Sequence, residues 1–409
     1  MTDFSQTREL FHLPEGVIYL DGNSLGPLPK AAQAALNRAA TQEWGELLIR
    51  GWNQAGWYQA PLALGDKIAP LIGAEPGHVL VGDTLSLRLY QAVASALEFQ
   101  VKAKPEAKII LSDSGNFPSD LYMIKSLIGQ LDRGYELHLV EPQQVADALD
   151  ELAEQVAVLC LTQVDYRTSR RHDLAALTQQ ARQVGALSVW DLAHSAGAIA
   201  VDLAGAGADF AVGCTYKFLN GGPGAPAFIY VRPGLVDQVS QPLSGWLGHA
   251  APFAFDTQFQ AAPGIAKFRV GTPPVLQMAA LDTALNTFVG VDMALVEAAV
   301  AQLTQAFIAQ MSAATDQLEL ISPTDPARRG SQLSFRPRQR SGIDAYAVIQ
   351  ALIAQGIIGD FRAPDLLRFG FSPLYLGLVD VTQAAVTLGR ILADRAWDRS
   401  EFLAKKAVT

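Results

Sequence analysis

From about residue 60 to 280, short apolar β-prone runs alternate with amphipathic helical stretches, and this alternation restricts the chain to few architectures. Strands separated by helices of that length predict βαβ units around a mostly parallel sheet. Strands are expected over 79–81, 108–112, 136–140, 156–162, 187–190, 210–214 and 227–231, with helices such as 87–97 and 174–184 between them. After Thr272-Pro273-Pro274 the texture changes to a long Ala/Leu-rich helical stretch from 275 to about 314, then to short strand and turn pieces up to 371. The expected organisation is an N-terminal segment, 1–30, packing on a small C-terminal α/β domain, 285–409, with a large α/β domain over 31–284.

A chain of 409 residues, half of them hydrophobic, exceeds one typical domain and can bury a large core. Its formal net charge of -9 argues against a nucleic-acid or anionic-membrane surface. The two cysteines, Cys160 and Cys214, each lie inside an apolar strand-like run, so no disulfide framework is implied and a reducing compartment is expected. The opening Met1-Thr2-Asp3-Phe4-Ser5 lacks the basic and apolar parts of a signal peptide, and no apolar stretch is long enough to span a bilayer. A cytoplasmic location is the expectation. The most apolar region, 196–214, is interrupted by Asp202 and Asp209, as suits a buried sheet.

Two residues carry the chemistry. Asp191 ends the apolar run 186–190, and Lys217 lies just beyond the run 208–214, in Thr215-Tyr216-Lys217 ahead of a glycine-rich turn. In open α/β sheets ligands bind at the carboxyl ends of the strands, so both side chains are expected in one crevice. Pyridoxal phosphate (PLP) chemistry needs an amine that forms a Schiff base and a carboxylate that keeps the pyridine nitrogen protonated. Lys217 and Asp191 supply that pair. Singly, each has a plainer reading: a loop lysine is usually solvated, and an aspartate after a strand often caps a helix. No metal-ligand set is assigned.

Further parts of such a site follow. Gly82-Asp83-Thr84-Leu85-Ser86 stands between a strand and a helix expected near 87, where unpaired N–H groups and the helix dipole suit a phosphate; Leu85 and Ser86 are the candidates to hold it. A simple helix cap at Asp83, Thr84 or Ser86 is the plainer alternative. In Asn116-Phe117-Pro118-Ser119-Asp120 an aromatic ring is available to stack on the pyridine, although a core phenylalanine before a capped helix fits the same residues. His194, three residues after Asp191, is placed either to orient that carboxylate or to pack over the ring.

The chain resembles the kynureninases, fold type I PLP enzymes of the aminotransferase class V group. The resemblance rests on Tyr19-Leu20-Asp21-Gly22-Asn23-Ser24-Leu25-Gly26, Asn116-Phe117-Pro118-Ser119-Asp120, Asp191-Leu192-Ala193-His194, Thr215-Tyr216-Lys217, Phe268-Arg269-Val270-Gly271-Thr272-Pro273-Pro274 and Arg368-Phe369-Gly370-Phe371-Ser372-Pro373-Leu374-Tyr375. It implies an aspartate aminotransferase-like fold with a smaller α+β C-terminal domain. It further implies that Leu85, Ser86, Phe117, Asp120, Thr162, Asp191, His194, Tyr216 and Lys217 contact PLP, and that Trp246 and Thr272 complete the phosphate site from the partner in a homodimer. Arg368 resembles the residue that binds the substrate α-carboxylate, and Ser24 falls near the substrate. Asp165 and Ser169 depart from the family pattern, standing where an amide and a glycine are expected.

The implied reaction is hydrolytic Cβ–Cγ cleavage of L-kynurenine, or of its 3-hydroxy derivative, to anthranilate or 3-hydroxyanthranilate and L-alanine, in tryptophan catabolism and NAD biosynthesis. Lys217 would remove the Cα proton, the ring paired with Asp191 would accept the electrons, and Tyr216 is the candidate general acid/base if its pKa is suitably tuned. Trp44, Trp52 and Trp57 are candidates to frame an aromatic pocket. Three other readings stay open: a class V aminotransferase; a cysteine desulfurase, against which the apolar settings of both cysteines count; and a catalytically silent PLP-fold regulatory protein.

Overall fold

The computed structural model describes residues 4–311, 316–339 and 341–405. Near the N-terminus, β1 (Phe11–His12) pairs antiparallel with β3 (Leu28–Pro29), and β2 (Ile18–Tyr19) lies between them in the chain. The central sheet is built from β4 (Val79–Val81), β5 (Ile109–Asp113), β6 (Glu136–Val140), β7 (Val156–Thr162), β8 (Leu187–Asp191), β9 (Phe210–Gly213) and β10 (Phe228–Val231). Its strand order is β4-β10-β9-β8-β7-β5-β6. The neighbours from β9 to β6 run parallel, whereas β10 is antiparallel to both β9 and β4. All seven strands expected from the sequence are present, with ends shifted by about a residue, as apolar runs without sharp end signals allow.

β7, β8 and β9 are buried along their whole length apart from Leu187, because helices cover the sheet on both sides. The helix Leu85–Ala103 packs across β7, β8, β9 and β10. It begins at Leu85 rather than near 87: Thr84 adopts the extended backbone of an N-cap, and its hydroxyl accepts from the Leu87 N–H. Leu85 and Ser86 therefore occupy the first turn.

The C-terminal part holds an antiparallel sheet of β11 (Leu318–Leu320), β12 (Gln332–Pro337), β15 (Leu366–Gly370) and β14 (Asp360–Arg362), in that spatial order. β13 (Ile357–Ile358) pairs parallel with β2, which stitches the N-terminal segment onto this region. The stretch expected to be helical from 275 to about 314 is two helices, Val275–Asn286 and Met293–Met311, separated at Gly290, whose φ of +75° breaks the helix; residue 314 lies outside the described residues. The strand and turn pieces expected before 371 include the helix Ala345–Ile353. That helix is apolar almost all round and buried, so it shows no amphipathic period to betray it. Among the described residues no helix is long and apolar enough to cross a membrane.

Candidate active site

Parallel pairing sets β7, β8 and β9 side by side with Thr162 opposite Asp191 and Asp191 opposite Val212, so the chain leaves all three strands at one edge. Asp191 is buried there. Its Oδ1 accepts the Ala193 N–H at 2.8 Å and its Oδ2 lies 3.2 Å from the Thr162 hydroxyl. Burial pushes the Asp191 carboxyl up, and the Lys217 ammonium and the Ala193 N–H draw it back. A protonated ring nitrogen is the kind of partner that offsets such burial.

Lys217 Nζ stands 2.9 Å from His194 Nε2 and faces the rings of Phe117 and Tyr216 at 6.0 and 5.8 Å. Burial, with the positive charges of Lys217 and Arg368, holds His194 well below the usual histidine range, so the ring is neutral and Nε2 accepts from the lysine. Its Nδ1 is buried without a partner among the described residues, as are both carboxylate oxygens of Asp120. Asp120 is raised well above the usual range, first by burial and then by Asp191. Unpartnered buried polar atoms of this kind are costly unless something fills the space between them. A planar polar group bound among Asp191, Lys217, His194 and Asp120 would supply that contact, and the donor set fits PLP.

The first turns of two helices meet beside this cluster. The Ser86 and Ser119 hydroxyls, each from the first turn of its helix, are 2.9 Å apart. Ser119, in a motif singled out from the sequence without a role of its own, is thereby brought next to Leu85 and Ser86 at a pair of helix starts. Asp83, at φ +51°, turns the loop ahead of the helix, and the buried Arg88 braces it: Nε donates to the Gly82 carbonyl at 3.0 Å and Nη1 to Gln91 Oε1 and the Phe268 carbonyl at 2.7 and 2.8 Å. Phe117 is half exposed and meets the Tyr166 ring edge-on at 5.0 Å.

Arg368 on β15 is buried, and both terminal nitrogens of its guanidinium are engaged: Nη2 donates to Ser24 Oγ at 2.8 Å and pairs with Asp360, while Nη1 donates to the Tyr166 carbonyl at 2.7 Å. Its Nε is buried without a partner among the described residues. The structure thus joins Arg368 to Ser24, as the resemblance implies, but adds Asp360, which sequence reasoning missed. Asp360 reaches Arg368 as its cross-strand neighbour on β14, a register invisible before the strands are paired. Asp21 stands in the same cluster and is pushed up to about 7, first by burial and then by the Asp360 charge.

Tyr216 is raised above its ordinary value, first by burial and then by Cys214, so its phenol keeps its proton near neutrality. Trp246 and Thr272 are not brought to the Lys217 cluster. Trp246 is 39% exposed and packs edge-on against Trp52 and Phe253, each ring pair with centroids at or below 6.3 Å. Thr272 is exposed beside a crevice it lines with Gly82, Asp83 and Arg88. Trp52 and Trp57 form one aromatic group with Trp246, whereas Trp44 is largely exposed. At the departures, Ser169 takes the left-handed backbone, φ +64°, which explains the expected glycine. Asp165 Oδ1 accepts from the Arg167 and Thr168 N–H groups at 2.9 and 2.6 Å, so the turn is closed by its own side chain. Cys160 and Cys214 are both buried, leaving no cysteine on an exposed loop.

A parallel sheet with Asp191 and Lys217 at the ends of adjacent strands defines a fold type I PLP-dependent enzyme. The same fold occurs in the apo cysteine desulfurase of Thermococcus onnurineus NA1, with a TM-score of 0.79 at 17% identity over 96% of this chain and 99% of that one. The chain is 50% identical to the kynureninase of Burkholderia pseudomallei (strain 1106a) over 98% of its own length and 95% of the relative's, and 45% identical to that of Pseudomonas fluorescens over the same shares. Residues 296–388 match the family model of the kynureninase C-terminal domain. The chain belongs to the kynureninase family.

Proposed function

We propose that this protein is a PLP-dependent hydrolase that cleaves the Cβ–Cγ bond of L-kynurenine, giving anthranilate and L-alanine. The observation that carries the reading is Lys217 Nζ at 2.9 Å from the buried, neutral His194, with Asp191 buried at the end of β8, in a chain half identical to a kynureninase. When bound, PLP supplies an electron sink for the charge left at Cα.

The chain's own residues do the rest. Lys217 Nζ is the amine that would hold the cofactor and would take the Cα proton of the substrate. Asp191 would hold the proton on the ring nitrogen, and Leu85, Ser86 and Ser119 would hold the phosphate at paired helix starts. Phe117, Asp120, Thr162 and His194 line the ring. Water adds to the γ-carbonyl, and the Cβ–Cγ bond breaks with Cγ leaving as the anthranilate carboxylate. Tyr216, whose phenol stays protonated, would donate a proton to Cβ, which keeps the electron pair and becomes the methyl group of alanine. Arg368 and Ser24 take the α-carboxylate of the amino-acid substrate. The large domain over 31–284 carries the cofactor, and the part over 285–409, with 1–30, carries Arg368 and Ser24. The proposed setting is cytoplasmic tryptophan catabolism.

Purified holoenzyme given L-kynurenine should yield anthranilate and alanine in equal amounts, and Lys217→Ala should abolish both turnover and the long-wavelength absorbance of bound cofactor. Amino transfer to a keto acid in place of cleavage would favour the aminotransferase reading. The same assay with 3-hydroxy-L-kynurenine ranks the two substrates.

The proposed assembly is a homodimer in which Trp246 and Thr272 complete the partner's phosphate site; the aromatic group Trp52, Trp246, Phe253 and Phe255 supports it, since Phe253 and Phe255 are exposed. Equal mixing of Lys217→Ala with a Trp246→Ala/Thr272→Ala double variant should, after subunit exchange, leave roughly a quarter of all sites intact. If exchange is verified and the double variant is itself impaired, activity no greater than the sum of the parents would reject the shared site.

A further inference from the structure

We propose that Asn116 is a positioning residue: it fixes the direction of the Thr162 hydroxyl proton and so leaves Asp191 Oδ2 free as a strong acceptor for the ring nitrogen of the cofactor. The proposal rests on the PLP reading above. Asn116 is 4% exposed, and its amide orientation is set by its neighbours. Oδ1 accepts the Phe117 N–H at 2.7 Å, while Nδ2 donates to Ser112 Oγ at 3.0 Å and towards the Cys160 carbonyl at 3.4 Å. Reversing the amide would set two donors against each other at Phe117 and two acceptors at Cys160.

With Oδ1 thus fixed towards Thr162, the proton inventory decides the rest. Thr162 Oγ1 lies 2.5 Å from Asn116 Oδ1 and 3.2 Å from Asp191 Oδ2. Both neighbours are acceptors, and a threonine hydroxyl carries one proton. An oxygen–oxygen contact as short as the first is attractive only with that proton between the atoms, so the proton points at Asn116. By distance alone Thr162 would count as a donor that stabilises the Asp191 carboxylate; with its proton committed elsewhere, it turns a lone pair to Oδ2 instead. Oδ1 keeps its bond from Ala193. Among the described residues Thr162 is the hydrogen-bonding neighbour of Oδ2, and the other ionisable groups around Asp191 are Lys217, Asp120, Cys160, Cys214 and Tyr216. A carboxylate oxygen without a donor is more basic and binds a pyridinium proton more tightly.

Removing the amide acceptor should release the hydroxyl to donate to Asp191 and weaken its hold on the ring proton. The test loads holoenzyme with PLP labelled with 15N in the ring and titrates the ring-nitrogen NMR signal. Asn116→Leu should favour the unprotonated ring by about tenfold, or roughly one pKa unit. The Asn116→Leu/Thr162→Val double variant, which has no hydroxyl to redirect, should return to the wild-type position. Thr162→Val alone should not raise the ring-nitrogen pKa.

An unchanged pKa in cofactor-loaded Asn116→Leu, or a double variant as shifted as the single one, overturns the proposal. If Asn116→Leu does not fold, Thr162→Val decides: a raised ring-nitrogen pKa would mean that the hydroxyl had been donating to Asp191 all along. In the cofactor-free protein, 13C-labelled Asp191 should show the same order of carboxyl pKa values. Failure of the wild type to bind PLP would sink the proposed function while leaving this order measurable.

Discussion

Replacing Arg88 by Met tests how the phosphate loop is held. Arg88 is 1% exposed, and burial has lowered its pKa to about 10, yet it stays charged near neutrality. Its guanidinium satisfies the Gly82 carbonyl, the Gln91 side-chain oxygen and the Phe268 carbonyl, and it lies 3.5 Å from Asp83. In Arg88→Met the Phe268 carbonyl keeps the Gln91 amide at 3.1 Å, but the Gly82 carbonyl and Gln91 Oε1 lose the Arg88 donors that satisfy them among the described residues. Two orphaned buried acceptors cost about 1–3 kcal/mol each, so the variant should lose about 2–6 kcal/mol. The loss should centre on the turn through Gly82 and Asp83, which leads directly into Leu85 and Ser86, and PLP should dissociate more readily from folded protein. Urea titration of the cofactor-free chain, followed by cofactor titration under native conditions, separates the two effects. A variant within 1 kcal/mol of the wild type and with unchanged cofactor affinity would refute the view that Arg88 braces the loop.

Arg368→Ala should raise KM for L-kynurenine by a hundredfold or more, the scale of about 3–5 kcal/mol for breaking a buried ion pair, and Arg368→Lys should also be impaired because an ammonium cannot reach Ser24, Asp360 and the Tyr166 carbonyl as one planar fork; an unchanged KM would move the carboxylate site elsewhere. Asp21 titrates at about 7 in the folded chain against an ordinary 3.8, so the folded state binds the extra proton between those values and stability should fall as pH rises through that window. Asp21→Asn should flatten the fall in urea midpoint between pH 4.5 and 7.5, and an equal slope in both proteins would contradict the assignment.

The sequence by itself determined the central sheet and the position of its chemistry. β7, β8 and β9 are short, mostly apolar runs, and ligands of open α/β sheets bind where such strands end, so Asp191 and Lys217 were expected in one crevice; that β8 and β9 are neighbours in register was decided by strand pairing. A helix start close to Leu85 and Ser86 was legible from the strand followed by an amphipathic run, but the helix begins at Leu85 rather than near 87, because the Thr84 cap that sets the first turn is a local geometry the pattern does not fix. The helix Ala345–Ile353 was hidden, since burial on all sides erases the periodicity that marks a helix. What only the tertiary structure decided are the contacts between side chains far apart in the chain. Asp360 reaches Arg368 through the register of β14 and β15, Ser24 joins them because β2 pairs with β13, Ser86 meets Ser119 where two helices begin, and Asn116 claims the Thr162 proton across the edge of β7. Local propensity acts over a few residues, whereas these contacts are set by how sheets and helices pack, and the basicity of Asp191 and the occupancy of Arg368 follow from them.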